Sequence, residues 1–215
     1  MGGIFSDIAL EGADNFRFER ALRVRGFACI AGADEAGRGP LAGPVVAASV
    51  VLPRDCEHSL FLDSKIISHK HRVRLFSLLK DIGARIGVGV VSAETIDSIN
   101  ILQASLLAMK HAIADLERGA GEADFILVDG TFQIPLSRPQ LTLTKGESKS
   151  ASIAAASIVA KVERDALMDD LDLDYPVYNF RRNKGYPTRE HRQAIVRYGP
   201  CPAHRKTFRG VKDFD

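Results

Sequence analysis

Phe27-Ala28-Cys29-Ile30-Ala31-Gly32-Ala33-Asp34-Glu35-Ala36-Gly37-Arg38-Gly39-Pro40 is the stretch on which the reading of the fold turns. Its first five residues form an apolar, strand-like run that leads into two acids, and the acids open a glycine-rich turn. A strand that ends in carboxylates suits a hard divalent cation, Mg²⁺ being the commonest, because such ions take oxygen ligands. Gly37 and Gly39 allow positive φ and a close approach of main chain to ligand. Arg38 and free amides are then available to phosphate or hydroxyl groups. A tight turn with solvated charges is the alternative for so short a motif. Successive side chains of a regular strand point to opposite faces, so one of Asp34 and Glu35 is expected to sit in the turn. Gly32 and Gly37 supply the bend, or else Glu35 offers its backbone carbonyl.

Outward from this stretch, residues 45–52 and 86–91 are β-branched and almost continuously apolar, as buried strands are. Residues 16–25 carry helical spacing, with Phe18, Leu22 and Val24 inward and Gly26 as the stop. The spacing predicts a helix over 69–80, with Val73, Leu75, Phe76, Leu78 and Leu79 on its apolar side. It predicts a short helix over 93–99 and a longer one over 102–118, built on Leu102, Leu106, Met109, Ile113 and Leu116 and ended by Gly119 and Gly121. Residues 124–129 are a second apolar run finishing in an acid and a glycine, Asp129-Gly130. Residues 141–144 alternate as a short strand, and 148–171 form an alanine-rich helix capped by Ser148 or Ser150. Strands followed by alternating helices and strands argue for an α/β layer fold with a mixed central β-sheet flanked by helices. In such sheets function gathers at strand ends, so Asp34 and Asp129 are expected to face one cleft.

The chain has 215 residues and 46% hydrophobic content, enough for one domain over 1–215 with a small helical basic C-terminal appendage from about residue 175. The longest apolar stretch, 41–52, is too short and broken to cross a bilayer, and the start lacks an export pattern. A cytoplasmic monomer that does not engage membranes is expected. Cys29, Cys56 and Cys201 are odd in number and widely spaced, which suggests neither a disulfide framework nor a thiolate zinc site. Net charge is +2, yet from Arg181 onward ten Lys and Arg face only Glu190, Asp213 and Asp215. Interleaved with Tyr178, Phe180, Tyr186, Tyr198 and Phe208, this basic segment suits phosphates with rings stacked on sugars or bases. A solvated helix face over core aromatics is the other reading.

Taken together, the blocks at 34–45, Asp63-Ser64-Lys65, Val128-Asp129-Gly130, Lys145-Gly146, 154–162, Arg164-Asp165 and Lys184-Gly185-Tyr186-Pro187-Thr188 closely resemble bacterial ribonuclease HII. The resemblance spans nearly the whole chain, with several rare blocks in the right order. It implies a ribonuclease H-like fold and endonucleolytic cleavage of RNA in RNA–DNA hybrids, including single ribonucleotides embedded in duplex DNA. Mn²⁺ or Mg²⁺ would be the cofactor. The family's metal ligands map onto Asp34, Glu35 and Asp129, with a fourth acid at Glu147 where the family usually has aspartate. Glutamate keeps the charge but adds a methylene, which alters how the carboxylate reaches the metal.

By the same resemblance, Gly37, Arg38 and Gly39 would contact the ribose through their backbone and Tyr186 would stack on the adjoining deoxyribose. Ser64, Lys65 and Lys145 are candidate phosphate contacts. Asp165 shares a helix face with Lys161, either as a surface ion pair or as an acid that orients that lysine. Two cations would lower the pKa of a water and neutralise charge on the leaving oxygen. Without metal, the clustered acids would repel and raise one another's pKa values. His191 reads as structural, and no Ser-His-Asp or Cys-His constellation is evident. Competing readings are a non-catalytic nucleic-acid binder using the basic segment, and a phosphotransferase, for which GxxxxGK[ST] is missing.

Overall fold

The computed structural model describes residues 14–61, 67–118 and 121–214. Among the described residues, five strands form one mixed sheet: β1 (Ile30–Ala36), β2 (Val45–Val51), β3 (Arg85–Val91), β4 (Phe125–Asp129) and β5 (Gln140–Leu143), in the spatial order β3-β2-β1-β4-β5. β2 runs antiparallel to both β1 and β3, whereas β4 lies parallel to β1 and β5 parallel to β4. The expected α/β architecture with a mixed, helix-flanked sheet is therefore what the chain adopts. Among the described residues, no helix is long and apolar enough to cross a membrane.

The helices are α1 (Arg17–Val24), α2 (His69–Asp81), α3 (Ala93–Leu116), α4 (Ala151–Asp174), α5 (Phe180–Asn183) and α6 (Arg189–Tyr198). α3 covers one face of the sheet, packing Ala104, Ala108, Ala112 and Ile113 on Ala31, Ala33, Val45 and Ala47. α4, with α2 outside it, covers the other, packing alanines 151, 154, 155 and 156 against Ala48 and Val50. Alanine on the inner side of α4 lets the helix lie close to the strands. At the closest point there is no room even for a methyl group. A Cβ built on Gly32 would stand 2.2 Å from the backbone carbon of Ser152 and 2.3 Å from the nitrogen of Ile153. Gly32→Ala is expected to force strand and helix apart and to destabilise the fold by at least about 3 kcal/mol, read as a lower urea midpoint with an unchanged slope.

The two helices expected over 93–118 are present as the halves of α3, broken at Asn100 with φ 68° and ψ 163°. Its side-chain Oδ1 accepts from the amides of Leu102 and Gln103 at 3.0 and 3.1 Å, so Asn100 caps the second half. α4 is capped by Ser150, whose Oγ accepts from Ile153 N at 3.2 Å. Gly119 lies outside the described residues. Val24, expected inward, is 88% exposed. It lies two residues past buried Leu22, about 200° around the helix. Val73 is likewise exposed, while Leu75 and Leu79 of α2 are buried. The inner stripe of α1 instead includes Glu19, fully buried, whose Oε1 accepts from Ser150 Oγ at 2.6 Å and Ser152 N at 3.0 Å and so fastens α1 to the start of α4.

Candidate active site

The strand expected to run from the apolar stretch 27–31 into Asp34 begins at Ile30 and continues to Ala36, and this corrects the placement of the acid expected in the turn. Asp34 and Glu35 are each inside β1, paired with Ala48 and Ala47 of β2, so neither sits in the turn. What brings acids together is the divergence of β1 from β4. Their last paired rung is Ala33↔Val128, and the next residues on each strand are Asp34 and Asp129. Parallel neighbours in register present side chains to the same face, so these two acids stand side by side. Beyond them β4 ends and the chain turns at Gly130, with φ 99°, while β1 continues along β2 to Ala36. A cavity of about 470 Å³ opens at this fork, with Asp34, Glu35 and Asp129 in its wall.

Asp34 is 5% exposed. Burial, then Glu35, then Asp129 push its carboxyl well above the usual carboxylate range, opposed by hydrogen bonds from the Ser157 hydroxyl and Glu35 N. The Glu35 amide donates to Asp34 Oδ1 at 2.7 Å. Glu35 is raised as well, by burial first. Arg38 works against that and Asp129 adds to it, the Arg38 guanidinium donating to Glu35 Oε1 at 3.2 Å. Asp129 Oδ1 accepts from Gly146 N at 2.7 Å, which draws the turn Gly146–Ser148 against the end of β4. In that turn Glu147 is buried, and its Oε2 accepts from Ser157 Oγ at 3.1 Å. It stands behind the cavity wall and meets it through Ser157. One hydroxyl proton can serve only one carboxylate at a time.

Among the described residues, no three His, Cys, Asp or Glu side chains are drawn into a closed metal cage. The donors nevertheless fit a hard cation. They are carboxylate oxygens from separate segments, and a cation would offset both the burial and the mutual repulsion that raise Asp34 and Glu35. Mg²⁺ is commonly held by one or two carboxylates together with substrate phosphates, without a dedicated protein cage.

Basic groups complete the wall. Lys161 and Arg72 line the cavity, Arg72 donating to Ile67 O at 2.7 Å. Lys161 donates to Asp165 Oδ1 at 2.5 Å, and burial lowers its pKa against the pull of that acid. Asp165 is buried, with His69 Nδ1 3.8 Å from its other oxygen, so the pair is not the solvent-facing one a helix surface would carry. Tyr186 is 42% exposed at the cavity rim, and a Cβ on Gly39 would lie 3.8 Å from its ring. Lys145 is exposed beside the Gly146 turn, with φ 55°, and is not on the cavity wall. Ser64 and Lys65 lie outside the described residues.

Sequence reasoning missed what holds the glycine-rich turn. Arg205, counted above with the basic patch, is fully buried. Its guanidinium donates to the carbonyls of Gly37, Arg38, Pro40, Gly43 and Pro44 at 2.6–3.2 Å. Arg164, also buried, donates to Pro44 O, Ala42 O and Lys184 O at 3.0–3.2 Å. Burial, then Arg164, push Arg205 down to about 9, still protonated at neutral pH. Gly37 has φ 102°, and a Cβ there would meet Arg164 Nε at 2.1 Å, so glycine is required on both counts. Of the two readings open for the aromatic residues of the basic segment, core packing holds for Tyr178 and Phe180, which pack with Met168 and Ile195. Phe208 is partly buried against the same cluster, while Tyr186 and Tyr198 remain exposed. Local sequence carries no signal for this burial, since Arg164 stands between Glu163 and Asp165 and Arg205 between His204 and Lys206, as surface arginines do.

Solved structures with this fold are ribonucleases H. The ribonuclease H2 of Pyrococcus horikoshii OT3 superposes with a TM-score of 0.69 at 26% identity, covering 87% of this chain and 97% of that one. The ribonuclease HII in the PCNA complex from Archaeoglobus fulgidus gives 0.71 at 25%, covering 85% and 96%. Fold and acidic site thus define a ribonuclease H-type nuclease, a hydrolase of phosphodiester bonds. A family model described as ribonuclease HII matches residues 31–211. The ribonuclease HII of Desulfotalea psychrophila is 60% identical over 201 residues, covering 94% of this chain and 89% of its own length, and that of Bacillus subtilis is 47% identical, covering 92% and 76%. The chain belongs to the ribonuclease HII family, whose activity is endonucleolytic cleavage in RNA–DNA hybrids.

Proposed function

We propose that this chain hydrolyses the RNA strand of RNA–DNA hybrids and incises on the 5′ side of single ribonucleotides in duplex DNA, leaving 3′-hydroxyl and 5′-phosphate ends. The observation that carries this reading is the side-by-side placement of buried Asp34 and half-buried Asp129 at the fork of two parallel strands, facing the glycine-rich turn and Tyr186. Asp34, Glu35 and Asp129 would hold Mg²⁺ or Mn²⁺, with Glu147 acting directly or through Ser157. When bound, a pair of such ions supplies Lewis-acid stabilisation of the phosphate and activation of water. A solved ribonuclease HIII of the same fold is a complex with Mn²⁺.

The remaining chemistry is the chain's own. Lys161, oriented by Asp165, and Arg72 bring positive charge to a phosphate beside the acids, while Ser64, Lys65 and Lys145 grip phosphates further along the strand. Choosing RNA requires sensing a 2′-hydroxyl, which both donates and accepts. The carbonyls of Gly37 and Arg38 are turned back onto Arg205. Across a trans peptide the following amides, of Arg38 and Gly39, then point the opposite way, away from the buried guanidinium. These amides are the donors assigned to the 2′-oxygen, and Tyr186 stacks on the next deoxyribose. The segment from about residue 175 serves as the substrate-binding part of a single catalytic domain that works as a cytoplasmic monomer.

A duplex with one ribonucleotide, incubated with Mg²⁺, with Mn²⁺ or with EDTA, tests the reading. The expected result is a single metal-dependent cut 5′ of the ribonucleotide. A cyclic phosphate end would exclude attack by water. Binding without any metal-dependent product would favour the non-catalytic nucleic-acid binder.

A further inference from the structure

Beneath the cavity rim, two buried histidines face each other with no part in the chemistry above. His191 Nε2 and His204 Nε2 are 3.0 Å apart, and both residues are essentially inaccessible. His191 Nδ1 lies 2.9 Å from the carbonyl oxygen of Tyr186. His204 Nδ1 accepts from Cys201 N at 3.0 Å and stands 3.2 Å from Cys201 Sγ.

These contacts admit one arrangement of protons. A carbonyl oxygen only accepts, so His191 Nδ1 carries a hydrogen. In a neutral ring Nε2 is then an acceptor, so the hydrogen between the rings belongs to His204 Nε2. That leaves His204 Nδ1 as the acceptor that the Cys201 amide requires. A second proton on either ring would set two N–H groups against each other or against Cys201 N–H. Burial lowers the pKa of both rings, His204 to about 4 with His191 adding to the effect. The surrounding groups are the rings of Tyr178 and Phe180.

The two ends of the chain of contacts are the two substrate-facing elements of the proposed site. His204 bridges to Ala42, and the next residue, Arg205, clamps the carbonyls of the glycine-rich turn. Tyr186, at the other end, stands opposite Gly39 across the rim. Resting on the proposed reading of Tyr186 as a substrate contact, we propose that His191 and His204 are positioning residues. Joined Nε2 to Nε2, each in a single tautomer, they tie the Tyr186 backbone to the segment that clamps the turn, so that tyrosine and turn meet the substrate as one rigid unit.

The test has two parts. In the wild-type protein, ¹⁵N-correlated NMR of the imidazoles is expected to show His191 as the Nδ1–H tautomer and His204 as the Nε2–H tautomer, with nitrogen–nitrogen coupling across the shared hydrogen. The opposite tautomer of His191 overturns the proposal without any variant having to fold. In single-ribonucleotide cleavage, His191→Leu is expected to lose about tenfold in kcat/KM, in keeping with the steep cost of misplacing a contact. His191→Asn, whose amide nitrogen replaces Nδ1–H as donor to the Tyr186 carbonyl but which leaves His204 without its ring partner, is expected to recover only part of that loss, to about threefold below wild type. In a Tyr186→Ala background, His191→Leu should cost less than about twofold. An undiminished loss there, or no recovery with asparagine, overturns the positioning role while the reading of Tyr186 stands. If Tyr186→Ala alone costs nothing, that reading itself fails and the coupling falls with it.

Discussion

Asp129→Asn is expected to lower turnover on a single-ribonucleotide duplex by at least about 10³-fold, or about 4 kcal/mol of transition-state stabilisation, while leaving duplex affinity within about threefold. Asparagine is nearly isosteric, and its Oδ1 can still accept from Gly146 N, the 2.7 Å contact that draws the Glu147 turn against the end of β4. The cavity therefore keeps its shape and loses one charge. That charge is what the proposed cation site depends on, since Asp129 lies in register beside Asp34 at the strand fork. Affinity for the duplex is spread over many phosphate contacts and responds weakly to one carboxylate. Single-turnover cleavage and fluorescence anisotropy separate the two quantities. Turnover within about tenfold of wild type would remove Asp129 from the reacting centre, and a parallel collapse of affinity would make it a binding residue.

Arg205→Met is expected to destabilise the protein by about 3–5 kcal/mol, as removal of one partner from a buried charged network does, and to lower Tm by about 10 °C. Methionine retains most of the aliphatic stem, so the loss is not one of packing volume. What disappears are the donors to the carbonyls of Gly37, Arg38, Pro40, Gly43 and Pro44, most of them buried. Arg205→Lys should rescue little. An ammonium offers its hydrogens from one atom, whereas these carbonyls surround a planar guanidinium edge by edge. Calorimetry of the three proteins checks the order wild type, then lysine, then methionine. Activity should fall further than the folded fraction accounts for, because the same carbonyls orient the amides assigned to the 2′-hydroxyl. A methionine variant with wild-type Tm would show that the turn supports itself.

Much of the fold is legible along the chain because its signals are local. Continuous apolar runs mark β2, β3 and β4, and helical spacing marks α2 and both halves of α3. The Ser150 cap marks the start of α4, and the pairing of an apolar run with an acid and a glycine marks both ends that carry Asp34 and Asp129. Val24 and the placement of Glu35 were misjudged for a related reason. A short helix or a strand boundary has too few residues to fix its phase until a partner packs against it. Stacking and core packing both stayed open for Tyr178 and Phe180, and Arg205 was counted with the basic patch, because composition does not distinguish a basic, aromatic surface from a basic segment folded inward.

By itself, the sequence determined which segments are strands and helices and which residue types stand at strand ends, since these follow from periodicity, caps and turn residues within a few positions of one another. Only the tertiary structure decided that Ala33 pairs with Val128, so that two acids 95 positions apart become neighbours, and that residues 204 and 205 support both walls of the cavity. Register between distant strands, and the choice of which arginine or histidine is buried, depend on how two faces of a sheet are filled at once. No local stretch of the chain carries that information.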